Sequence, residues 1–233
     1  NKTLKLIRMN KISVYILLIL IYLGLSKSFS PSEKKAPYIP NERVFSSFFY
    51  GAPLSIILLD SFQTGFLIKT YFQKYKVVHG FKHPETIIVR TSYSFWQKNL
   101  PNIGMSIFRR GERQSTESRV PMPPGLLYIG DPAYGHWEVQ DSGDKLWFFH
   151  RAYRHFPTYF NWNEFRPTER FYETALTFLS HEKPYYGDNK EFGTAGSLTQ
   201  EQLKLKEKKN KDVIKSDLLK RLDEFTYIPK WSK

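Results

Sequence analysis

Between Val44 and Ile68 the chain runs for 25 residues with one charge, Asp60. A segment this apolar has to leave water, either for a protein core or for a bilayer. Gly51, Pro53 and Gly65 interrupt it, and a central aspartate costs a spanning helix about 2.5–3.5 kcal/mol. The favoured reading is a buried element, broken at Gly51–Pro53 and again at Asp60–Gly65. A second membrane span is the alternative.

That core has to be held by packing alone. The sequence has no cysteine, which removes disulfides, thiolate metal sites and cysteine nucleophiles together. Aromatic residues make up 17% of the chain, so rings must supply much of the buried area.

A second apolar run, Ile12 to Leu25, follows the positive flank of Lys2, Lys5, Arg8 and Lys11. Met9-Asn10-Lys11 reads as a start. A basic flank before a short apolar run has the form of a secretory signal or signal anchor rather than a full span. Gly24-Leu25-Ser26 and Ser26-Lys27-Ser28 offer small side chains to a peptidase. The expected location is outside the cytosol: periplasmic, cell surface or extracellular, and membrane-anchored where the segment is retained.

The formal charge is +13, and four of the basic residues lie in 1–26, leaving about +9 beyond them. A basic protein outside the cytosol suits an anionic glycan, a lipid surface or another envelope protein, and nucleic acid is disfavoured there.

The organisation expected is a signal peptide or anchor over 1–26 and a proline-bearing linker over 27–43. A globular α+β domain follows over 44–198, then a basic C-terminal helix and tail over 199–233. Thr86 to Trp96 alternates as a strand, Met105 to Arg109 as another, and Leu126 to Gly130 as a third. Glu112 to Gly125 reads as a long loop and internal boundary. His136 to His150 reads as a β-hairpin turning at Asp141-Ser142-Gly143-Asp144. With Asp141 facing Asp144, Trp137 pairs with Phe148 and Val139 with Leu146. That register sends Trp147 outward and sets His136 and His150 on opposite faces. Pro167 to Glu182 reads as a helix buried through Phe171, Ala175, Phe178 and Leu179. A second helix starts near Thr199 with a capping-box pattern and continues through Ile214, Leu218, Leu222 and Phe225. The fold class is α+β, a single domain whose mostly antiparallel sheet is packed by one or two C-terminal helices, after an N-terminal signal or anchor helix.

Chemistry-bearing residues concentrate between Asp131 and Glu164. His136, Trp147, His150, Arg151, Arg154 and His155 form the candidate ligand-binding set, since arginines among aromatics suit acidic or sugar ligands. The alternative for those aromatics is the core, with the arginines at its edge. Asp131, Glu138 and Glu164 are the candidate carboxylates of a wall- or glycan-acting hydrolase. The histidine spacing matches no metal motif, and there is no phosphate loop, dinucleotide fingerprint or serine elbow. No cofactor is expected. The functional expectation is a non-catalytic cell-envelope protein that binds an anionic or glycan ligand or another envelope protein.

Overall fold

The structure, a computed structural model, describes residues 11–29, 36–65, 68–80, 82–112, 117–209 and 211. Lys11–Phe29 forms helix α1, whose apolar side chains from Ile12 to Leu23 are largely exposed. Among the described residues, no helix is long and apolar enough to cross a membrane.

The rest is a single α+β domain built on one mostly antiparallel sheet. Its strands are β1 (Tyr38–Ile39), β2 (Leu54–Thr64), β3 (Thr70–His79), β4 (Glu85–Thr91), β5 (Ser106–Arg110) and β6 (Glu117–Ser118). They lie in the order β1-β4-β3-β2-β5-β6, with only β1 parallel to its neighbour. The apolar stretch of the sequence supplies the inner strand β2, which is buried on both faces from Leu54 to Leu58. Two breaks were expected there. The first lies before Leu54, and the second falls only at Gly65, where β2 has ended and φ is +89°. At Leu58–Asp60 the strand bulges and continues, because β3 keeps pairing with it as far as Thr64.

Two helices cover one sheet face. Helix α2 (Glu42–Phe48) is capped by Asn41, whose Oδ1 accepts the Val44 N–H at 3.0 Å. Helix α3 (Tyr93–Asn99) is capped by Ser92 through the Phe95 N–H at 3.2 Å. Phe45 and Phe95 drop from them onto Tyr75, Phe108 and Ile56. The expected strand over Thr86 to Trp96 therefore stops at Thr91, since the Ser92 hydroxyl gives the next turn its start. The expected linker is also shorter than 27–43. Ile39 is fully buried, β1 pairs with β4, and α2 begins at Glu42.

The C-terminal half covers the other face. Its hairpin, β7 (Gly135–Val139) and β8 (Lys145–Phe149), is a separate two-stranded sheet. A short helix α4 (Phe156–Tyr159) follows, then α5 (Glu169–Ser180), capped by Thr168. Phe171 and Ala175 of α5 are buried, whereas Phe178 stays part exposed. Helix α6 occupies 197–209, and the expected apolar positions Ile214, Leu218, Leu222 and Phe225 lie outside the described residues. Rings dominate this second core. Tyr128 lies 4.8 Å from Phe156 and 5.0 Å from Tyr134, and Phe149 lies 5.6 Å from Trp162. Hydrogen bonds tie it to the sheet, among them Tyr128 O–H donating to Val78 O and Lys76 Nζ donating to Tyr159 O.

Leu126 to Gly130 is not a strand. It is a turn run closed by Tyr128 N–H to Gly125 O at 2.8 Å, with Leu126, Tyr128 and Ile129 buried. Gly125 makes this packing feasible. Its φ is +89°, and a Cβ there would lie 2.5 Å from the Trp162 ring and 2.7 Å from Phe160. Glu112 to Gly125 is likewise no boundary, because β6 and the Met122–Ser106 bridge return it to the sheet.

The two glycines Gly125 and Gly143 separate backbone strain from steric overlap. Gly143 has φ +85° but open space where a Cβ would sit. Gly143→Ala is expected to cost about 1–2 kcal/mol. Gly125→Ala adds overpacking and is expected to cost about 3 kcal/mol or more. Urea unfolding of both variants reads the difference, and equal losses would contradict the packing described.

Candidate functional site

The hairpin is the first place where the expected site changes. Gln140 N–H donates to Asp144 O and Gly143 N–H to Gln140 O, enclosing a three-residue loop with a left-handed glycine. The register is thus Trp137 opposite Trp147 and His136 opposite Phe148. One residue of slip exchanges the faces of a strand. Trp147, expected outward, is 1% exposed and packs 5.0 Å from Trp137. His136 and His150, expected on opposite faces, stack at 5.6 Å.

The remaining candidates stay at the surface. His150 Nε2 bonds Pro132 O at 3.0 Å, and His155 stacks on Tyr159. Arg151 and Arg154 are exposed, with no ion-pair partner among the described residues. The rings between them, Tyr153, Phe156 and Phe160, belong to the core. Asp131, Glu138 and Glu164 are exposed, and none of the clefts described next includes them. Among the described residues, no group of three or more His, Cys, Asp or Glu side chains could hold a metal.

A different site emerges along the edge where α3, β6 and the end of α5 meet. A cleft of about 940 Å³ runs from Arg119 and Lys98 past Asn99 and Asn102 to Tyr186. At one end it shares Lys98, Arg119 and Glu42 with a cavity of about 390 Å³ that adds Arg43 and Ser94. At the other it shares Pro101 and Tyr186 with a cavity of about 480 Å³. Shared walls link the three in series, as a trough along this edge.

Local folding explains each wall. Asn99 ends α3 and donates its side-chain amide to Phe95 O at 3.0 Å. A 3-10 turn, Leu100–Asn102, then drops Asn102 to the floor, where its Oδ1 accepts the Tyr186 hydroxyl at 3.1 Å. Asn99 Oδ1 and Asn102 Nδ2 keep no protein partner among the described residues and remain reachable from the cleft.

The charges are arranged in pairs with two cations left over. Glu42 is ion-paired with Lys98, and Glu117 with Arg110 at 2.5 Å. Glu182 leaves one free carboxylate on the α5 side. Arg119 donates to Ser46 Oγ at 3.0 Å, but neither it nor Arg43 meets a carboxylate among the described residues. Arg109 lies beneath the wall, fully buried, and bonds Ser106 O, Ser118 Oγ and Val120 O. Burial pushes its guanidinium down to about 9, which leaves it charged at neutral pH. A buried cation without a counter-charge adds positive potential to the surface above it.

Sequence windows could not assemble this site. Its residues come from four separated segments, and Arg43 fell in the expected linker. The one local trace is Asn99-Leu100-Pro101-Asn102, which reads as a turn. No family model, curated protein or solved structure matches the chain.

A cationic cluster also lies on the opposite sheet face. Lys76 Nζ donates to Tyr159 O at 2.8 Å and to Asn161 Oδ1 at 3.0 Å. Burial, and then Lys206 of α6, lower it from 10.5 to about 8. Lys206 is itself lowered by burial and by Lys74, against a raising effect of Asp60. Between pH 8 and 10.5 the unfolded chain binds the Lys76 proton more tightly than the folded one, so raising pH through that window favours folding. The stability of the native chain relative to Lys76→Met is expected to be constant below about pH 8. Above that pH it should rise, by at most about 1.4 kcal/mol per pH unit. Chemical unfolding across pH 7–10 measures it, and a flat difference would show that Lys76 is not desolvated.

Proposed function

We propose that this chain is an exported cell-envelope protein that binds an acidic glycan along the trough, without catalysis. The observation that carries the reading is the pair Arg43 and Arg119. Among the described residues neither is ion-paired with a carboxylate, and they stand at one end of a cleft floored by Asn99 and Asn102. Guanidinium groups match carboxylate and phosphate oxygens through paired N–H donors, and amides suit sugar hydroxyls as both donors and acceptors. The length of the trough favours an extended ligand over a compact metabolite. The basic flank and apolar run ahead of the domain support export, and the charge of about +9 beyond residue 26 supports an anionic partner. Two of the three carboxylates on the cleft, Glu42 and Glu117, are held in ion pairs, an arrangement that favours binding over acid–base work.

Titration calorimetry at low ionic strength with tetragalacturonate, beside a neutral tetrasaccharide, tests this. The acidic sugar is expected to bind and the neutral one to bind at least ten-fold more weakly. Arg43→Ala/Arg119→Ala is expected to weaken tetragalacturonate at least ten-fold, since each charge-assisted bond contributes about 1.5–3 kcal/mol. Equal affinity of that variant, with its melting point preserved, would overturn the reading.

A further inference from the structure

The cavity at the Tyr186 end of the trough is chemically unlike the rest. Its walls are Pro101, Phe192, Gly193, Ala195 and Gly196, with the Tyr186 ring at the junction. The polar groups nearby are already spent inside the loop. Thr194 O–H donates to Leu100 O, and its Oγ1 accepts the Ile103 N–H at 3.2 Å. Gln200 Nε2 donates to Thr194 O at 2.5 Å, and Thr194 N–H to Pro101 O at 2.9 Å. Lys190 brings the one charge to the lining, and a lysine stem can lie along an apolar wall while its ammonium stays in water.

A glycine lets this loop pack closely beside Tyr186. Gly193 has φ +84°, and a Cβ there would lie 2.6 Å from the Tyr186 ring and 3.1 Å from Pro101 O. The bare backbone leaves room for the ring, whose hydroxyl donates to Asn102 Oδ1. Tyr186 therefore lines both the polar cleft and the apolar cavity.

A ligand that fills the trough meets cations first, amides next and an apolar cavity last. Resting on the acidic-glycan reading, we infer that the natural ligand is an acidic glycolipid. Its carboxylate or phosphate sits at Arg43 and Arg119, its sugar along Asn99 and Asn102, and its acyl or prenyl end against Phe192 and Ala195. Charge complementarity at one end and the apolar lining of the adjoining cavity at the other select an amphiphile over a plain polysaccharide, whose hydroxyls are poorly matched beside Phe192 and Ala195.

Octyl β-glucuronide, methyl β-glucuronide and octyl β-glucoside, each below its micelle-forming concentration, separate the parts. Octyl glucuronide is expected to bind at least ten-fold more tightly than either relative. Ala195 is exposed, so Ala195→Trp fills the cavity without entering the core. That variant is expected to bring octyl glucuronide down to the methyl glucuronide value while leaving methyl glucuronide unchanged. Equal binding of the octyl and methyl glucuronides would overturn the glycolipid inference and leave the acidic-glycan reading standing. Arg43→Ala/Arg119→Ala binding every glucuronide as the native chain does would overturn both.

Discussion

Strand β2 is buried on both faces from Leu54 to Leu58, and a strand of that kind has to be covered twice. Leu54, Ile56 and Leu58 face α2 and α3, while Ile57 faces the C-terminal half. The two cores share only the sheet between them. With no cysteine to staple either layer, each side holds on by ring packing and a few placed hydrogen bonds. The covering layers meet at the β5–β6 edge, and the trough is the seam they leave. Arg109 and Arg110 fasten that edge. One bonds the 118–120 segment from below, and the other reaches Phe49 O and Ser46 O on the α2 side. The site is thus a consequence of the layering.

Where the sequence was legible, local chemistry was decisive. Helix α5 carried an apolar stripe after Pro167, the hairpin carried a glycine in its turn, and the segment of β2 declared itself as buried by lack of charge. The antiparallel sheet and single-domain α+β class followed from those signals. The misreadings have equally local causes. The hairpin pattern fits two registers that differ by one loop residue, and the Gly143 conformation selects the one that buries Trp147. Thr86 to Trp96 alternates throughout, but the Ser92 cap diverts its second half into α3. Leu126 to Gly130 looked like a strand because its residues are apolar. They are apolar because glycines at both ends turn them into the core.

Beyond the turn at Asn99–Asn102, the trough was not legible. Arg43, Asn99, Asn102, Arg119 and Tyr186 carry no common motif, and their proximity is a product of tertiary structure. The residues that did stand out, between Asp131 and Glu164, stood out by aromatic density. That density serves the second core. The histidines and arginines among them are the polar rim left exposed when the rings turn inward.

Hydrogen–deuterium exchange with and without tetragalacturonate tests directly whether the seam between the two layers is the binding surface. Slowed exchange confined to residues 98–102 and 117–121, with the hairpin at 136–155 unchanged, is the result expected. Protection of 136–155 with no change at 98–102 or 117–121 would contradict the account and return the site to the hairpin.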